Sequence, residues 1–130
     1  MNSAGVGELH LEIPSSGAAS ARHFYRTLLG LREVASVARR QRRLRLETPA
    51  GALCLDVRAQ GAVRVAASPV AIACSDLEFV VAKLLEAGRR VERSDLERPT
   101  AYAWDPFGNP LALYAAISDL PPTSQSEARD

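Results

Sequence analysis

Histidine and tryptophan are scarce in this chain, and the first histidine stands in the pattern with the most chemical content. From Glu8 to Ile13 the residues alternate, with Glu8, His10 and Glu12 on one side and Leu9, Leu11 and Ile13 on the other. Such alternation predicts a half-buried strand. An imidazole titrates near neutral pH, so one set beside a carboxylate suits general acid–base work. His10, with Glu12 or with Asp56, is therefore the candidate catalytic group. Two plainer alternatives stay open: a histidine that only hydrogen-bonds, and carboxylates that are solvated or paired with arginine. A second set is planar or small: Tyr102, Trp104 and Tyr114, with Cys54 and Ala112. Aromatic rings offer flat contact surface with a hydroxyl or indole donor at low entropic cost, so these five are candidate ligand-binding residues. Alternation leaves open which face Tyr102 and Trp104 occupy, and a tryptophan packed at the rim is the alternative to one that stacks on a ligand.

The elements that must position these residues form a repeat. Asp105-Pro106-Phe107-Gly108-Asn109 opens a strand at Leu111-Ala112-Leu113, and Thr48-Pro49-Ala50-Gly51 opens one at Leu53-Cys54-Leu55. Upstream of each turn an amphipathic segment ends in glycine, Leu28-Leu29-Gly30 and Glu86-Ala87-Gly88. Gly88 follows Gly30 by 58 residues (88 − 30), and Leu111 follows Leu53 by the same 58 (111 − 53). A shared offset indicates two copies of one supersecondary unit. Helical spacing predicts helices over Ala18–Leu29, led by a serine able to cap it, and over Leu77–Ala87. Asp76 is the N-cap of the second, and Leu77, Val80, Val81, Leu84 and Leu85 form its buried stripe.

Strands are expected at 8–13, 31–38, 44–47 and 52–57 in the first unit, and at 69–74, from Arg89, at 101–104 and at 110–116 in the second. The fold class is α+β: two tandem βαβββ units, about 8–57 and 68–116, forming a curved mixed sheet, a half-barrel, around a ligand cleft. One face of each strand packs on its helix and the other lines the cleft. Residues 1–118 make one domain, with 58–67 as linker and the polar, proline-rich stretch 119–130 as a disordered tail.

Composition narrows the function. The chain has 130 residues, with 16 basic and 15 acidic side chains for a net charge of +1. No global field recruits nucleic acid or an anionic membrane. The run Arg39-Arg40-Gln41-Arg42-Arg43 lacks interleaved aromatics and falls on a predicted hairpin, so it reads as solvated; Arg43 and Arg45 could line the cleft mouth and hold an anionic or phenolic ligand. No apolar run reaches the roughly 20 residues that span a bilayer, and no signal segment is visible at the N-terminus, which points to the cytoplasm. Cys54 and Cys74 lie in apolar strands and are expected to be reduced and buried.

The phrases His10-Leu11-Glu12-Ile13 and Phe24-Tyr25-Arg26-Thr27-Leu28-Leu29-Gly30-Leu31, with the closing Asp105-Pro106-x-Gly108-Asn109 turn, resemble the vicinal-oxygen-chelate superfamily over about residues 8–116. This superfamily holds glyoxalase I, the bleomycin-resistance proteins, fosfomycin-resistance enzymes and extradiol dioxygenases. The resemblance implies a homodimer and a cleft that in many members carries a divalent metal. His10 falls on the first ligand position. Cys54 stands where a carboxylate is usual, Pro69 or Ser68 where a histidine is usual, and Ala112 where a glutamate is usual. A divalent cation needs three or four protein ligands, so no metal and no other cofactor is expected. The expected function is a metal-free protein that binds a small, largely apolar planar molecule, with antibiotic sequestration as a role. The alternative is a metal-independent isomerase, cyclase or lyase that uses His10 with Glu12 or Asp56.

Overall fold

The alternating leucines of the first unit build a four-stranded sheet. In the computed structural model, which describes residues 7–35, 43–58, 63–95 and 98–116, β1 (Gly7–Pro14) is followed by a 3-10 turn (Ser15–Gly17) and α1 (Ala18–Arg22). β2 (Arg32–Val34), β3 (Arg43–Thr48) and β4 (Gly51–Arg58) complete the unit. The second unit repeats the order with β5 (Val70–Cys74), α2 (Leu77–Glu86), β6 (Val91–Ser94), β7 (Thr100–Trp104) and β8 (Pro110–Ala115). The strand orders β1-β4-β3-β2 and β5-β8-β7-β6 are the same arrangement twice. β1 runs parallel to β4 and β5 parallel to β8, while the other pairs are antiparallel. Two mixed sheets are thus present, one per unit. The expected tail, the residues 36–42 that include the Arg39-Arg40-Gln41 turn, and residues 59–62 of the linker lie outside the described residues.

One face of each sheet is apolar. Leu11, Ile13, Leu44, Leu46, Leu53 and Leu55 from the first sheet join Ile72, Ala101, Ala103, Leu111 and Leu113 from the second in one buried cluster with the helices. Burial of each leucine or isoleucine there contributes roughly 1.5–3 kcal/mol before entropy is counted. Among the described residues no helix is long and apolar enough to cross a membrane.

Several sequence expectations are corrected. The first helix is α-helical only to Arg22; His23–Leu28 is wound as a π-helix. No serine caps it: Gly17 stands at the N-cap and no side chain bonds there. A Cβ on Gly17 would lie 2.7 Å from the Phe107 ring, so any side chain there requires that ring to shift. On α2, Asp76 caps as expected, accepting from the Phe79 amide at 3.1 Å. Leu77, Val80, Val81 and Leu84 are buried, but Leu85 is 56% exposed. At 100° per residue, Leu85 falls beyond the edge of the stripe the other four define. β2 is shorter than expected, ending at Val34, and β6 starts at Val91 rather than Arg89.

The two signature phrases meet in space. Tyr25 Oη donates to Asp105 Oδ2 at 2.7 Å in a buried site. The same carboxylate accepts from the amides of Phe107 and Asn109 and from Asn109 Nδ2. Asn109 Oδ1 accepts from the Ala66 amide at 2.8 Å. Helix, closing turn and linker are therefore joined by one hydrogen-bonded knot.

Candidate functional site

Each sheet has an open face opposite its helix, and the two open faces differ in chemistry. On the first sheet the register sets His10 beside Cys54 and Cys54 beside Arg45, with Glu12, Asp56 and Arg43 in the next row. His10 Nδ1 lies 3.1 Å from Asp56 Oδ2, and Nε2 lies 3.5 Å from Glu8 Oε1. Arg43 Nε donates to Asp56 Oδ1 at 2.7 Å, and Arg45 Nη1 donates to Glu8 Oε2 at 2.7 Å. The hydrogen bond from Arg45 and its charge hold the Glu8 carboxyl below its usual range. Cys54 is fully buried under these side chains, and burial pushes its thiol up despite the two neighbouring guanidinium groups. A thiol raised in this way is protonated near neutral pH and a weak nucleophile.

The structure brings His10 and Asp56 together and sends Glu12 elsewhere. Glu12 Oε1 accepts from the Arg64 amide at 2.8 Å, and Oε2 lies 3.7 Å from Arg58 Nη1. Glu12 thus ties β1 to the chain beyond β4, and Glu8 takes the place beside His10. Glu8 was visible in the sequence on the same face of the same strand, but alternation does not say which neighbour turns inward.

Glu8, His10 and Cys54 place one ligand atom each within 4.8 Å of one another. As a metal site the set fits poorly. Arg45 holds the Glu8 carboxylate and sets Nη1 3.5 Å from Cys54 Sγ, so a guanidinium already occupies the electrostatic position of a cation. On the second sheet, the strand pair that matches His10 and Cys54 is Ala71 and Ala112. This corrects the sequence alignment, which put Ser68 or Pro69 at that point. Alanine supplies no donor atom, so these two matching positions add no ligand to the set.

The second open face is aromatic. Tyr102 pairs with Ala112, which pairs with Ala71, and Thr100 pairs with Tyr114 one row along. Tyr102, Ala112 and Tyr114, with Ala71, Ser94, Arg98 and Thr100, line a cleft of about 370 Å³. The alanine methyl groups form its floor and the tyrosines its walls. Cys54 lies on the other sheet. Trp104 stands two residues beyond Tyr102 on the same strand, with the Arg90 guanidinium carbon 4.2 Å from its ring centroid, and does not line this cleft. Nothing in the sequence pattern singles out Ala71, Ser94, Arg98 or Thr100. The repeat could have supplied Ala71, had strand pairing rather than the glycine offset carried His10 and Cys54 into the second unit.

No family model and no curated protein matches the sequence. Solved structures do. A protein assigned to the glyoxalase family from Bacillus anthracis superposes with a TM-score of 0.72 at 16% identity, covering 85% of this chain and 93% of the other. A glyoxalase/bleomycin resistance protein/dioxygenase from Alicyclobacillus acidocaldarius gives a TM-score of 0.57 at 21% identity, over 91% and 96% of the two chains. The genomically encoded fosfomycin resistance protein FosX from Listeria monocytogenes gives 0.63 at 10% identity, over 89% and 97%. The repeated βαβββ unit, the paired signature phrases and these likenesses together give the chain the fold of the vicinal-oxygen-chelate superfamily.

Proposed function

We propose that the protein binds a small, planar, largely apolar molecule in the cleft on the open face of the second sheet. The observation that carries this is that Tyr102 and Tyr114, from neighbouring strands, line one cleft of about 370 Å³ with the Ala71–Ala112 floor. That volume lies in the range of small-molecule sites, and the lining joins methyl and ring surface from Ala71, Ala112, Tyr102 and Tyr114 to the polar side chains of Ser94, Arg98 and Thr100. Filling the floor tests the proposal. Ala112→Trp should abolish binding of a polycyclic aromatic probe while circular dichroism stays unchanged; unaltered binding by a folded variant would sink it.

A second reading rests on the 3.1 Å contact of His10 with Asp56. A carboxylate that orients an imidazole suits proton transfer in a metal-independent isomerase, cyclase or lyase. His10→Ala separates the two readings. In a protein that sequesters its ligand, the ligand is recovered with unchanged mass and binding survives. In an enzyme, its mass or optical spectrum changes and the variant loses turnover.

Antibiotic sequestration is the biological role we propose for the binding reading; the fold shared with a fosfomycin resistance protein supports it at the level of architecture alone. The proposed setting is the cytoplasm, where free, buried Cys54 and Cys74 fit a reducing compartment. The proposed assembly is a homodimer, and no nucleic acid or membrane partner is proposed.

A further inference from the structure

The charges on the two open faces are answered differently. On the first sheet Arg43, Arg45 and Arg58 each face a carboxylate, so their charge is neutralised within the molecule. On the second sheet Arg90 and Arg93 are likewise paired, with Glu92 and Glu78. Arg98 differs. Its guanidinium carbon lies 4.4 Å from the centroid of the Tyr114 ring, at the edge of the cleft. Among the described residues no carboxylate lines the cleft, and Arg98 forms no ion pair with any of them. A guanidinium stacked on a ring keeps its N–H edges free in the plane, where they match the two oxygens of a carboxylate.

We infer that the ligand of this cleft is an aromatic carboxylate. Its ring lies on the Ala71–Ala112 floor between the two tyrosines, and its carboxylate takes the Arg98 fork. The inference rests on the cleft being the binding site and adds the charge and chemical class of what it binds. Cation–π contact with Tyr114 fixes the guanidinium before the ligand arrives, so little side-chain entropy remains to be lost on binding. Ser94 lines the same cleft and brings a hydroxyl donor to the carboxylate end, while the Thr100 hydroxyl donates to Arg98 O at 3.2 Å and holds the backbone that carries the guanidinium.

Calorimetric titration of the full chain with 2-naphthoate and with 2-naphthamide tests this, because the two probes share a ring system and differ in charge. Naphthoate should bind on the order of tenfold more tightly, the worth of a partly exposed charge-assisted hydrogen bond. The advantage should shrink with added salt. It should vanish in Arg98→Gln, survive in part in Arg98→Lys, and leave naphthamide affinity the same throughout. Equal affinity of the two probes for the unaltered protein, or a naphthoate advantage that persists in Arg98→Gln, overturns the inference and leaves the cleft standing as a binding site. Binding of neither probe, or undiminished binding to a folded Ala112→Trp or Ala71→Leu variant, overturns the cleft and the inference together.

Discussion

Asp105 holds the molecule together at the residue scale. Its carboxylate accepts four hydrogen bonds, from Tyr25 Oη, two backbone amides and Asn109 Nδ2, at 4% exposure. Tyr25→Phe leaves the ring in place and removes one of these donors, so chemical denaturation should show a loss of about 1.5–3 kcal/mol, the net worth of a hydrogen bond to a charged group. The pH dependence follows from the same contact. Burial first, and then the Asp105 charge, push the Tyr25 phenol well above its ordinary value of 10.0. The folded protein therefore keeps this proton where the unfolded chain gives it up. The stability from this group is fully present below pH 10 and is lost above it, by up to about 1.4 kcal/mol per pH unit. Tyr25→Phe should flatten that alkaline slope, and an equal slope in both proteins would contradict the assignment. Both phrases of this knot were legible in the sequence. Their meeting across 80 residues was not, because periodicity shows which face of an element is apolar and not which residue it will meet.

At the scale of elements, the repeated glycines show how far local sequence dictates backbone. Gly30 has φ of 76° and Gly88 has φ of 77°, the left-handed conformation that closes a helix. At Gly88 the Arg89 amide donates to Leu84 O at 2.8 Å and the Gly88 amide to Leu85 O at 3.0 Å, a Schellman closure. At Gly30 the Leu31 amide reaches back to Tyr25 O at 3.0 Å, one residue further, because the preceding turn is wound as a π-helix. No neighbouring atom lies within 4 Å of a Cβ placed on either glycine. Gly30→Ala and Gly88→Ala should therefore each lose about 1–2 kcal/mol from backbone strain alone, with Asn costing less at both. Thermal unfolding checks this, and a neutral result at either position would show that the local backbone relaxes. The helix ends could be read from glycine and spacing. The π winding could not, since apolar residues spaced four apart, such as Phe24 with Leu28 and Tyr25 with Leu29, suit both windings. The Lys83 ammonium then joins the helices by donating to Thr27 O at 2.7 Å near the end of the first.

At the scale of the whole molecule, the unit repeat was legible and the division of chemistry between its copies was only partly so. The strand faces carrying His10 and Tyr114 follow from alternation, yet the sequence treated them as one cleft lining. The structure separates a charge-paired face from an aromatic one, because the same register that puts Arg45 beside Cys54 puts Tyr102 beside Ala112. Among the described residues each sheet also ends in strands with a single hydrogen-bonded neighbour: β1 and β2 in the first, β5 and β6 in the second. Unpaired edges invite pairing with another chain unless they are covered. Phe79, at 60% exposure with Lys83 Nζ 5.5 Å from its ring centroid, and Leu85 add exposed apolar surface on α2. A twofold dimer would answer both features with a single self-complementary contact, which is the commonest solution for soluble chains. Light scattering should then report about twice the 14.0 kDa of one chain. Phe79→Glu should shift the equilibrium toward the single chain if α2 forms part of that contact. A mass of one chain over a wide concentration range would count against the dimer, whereas a dimer unmoved by Phe79→Glu would place the contact at the strand edges instead.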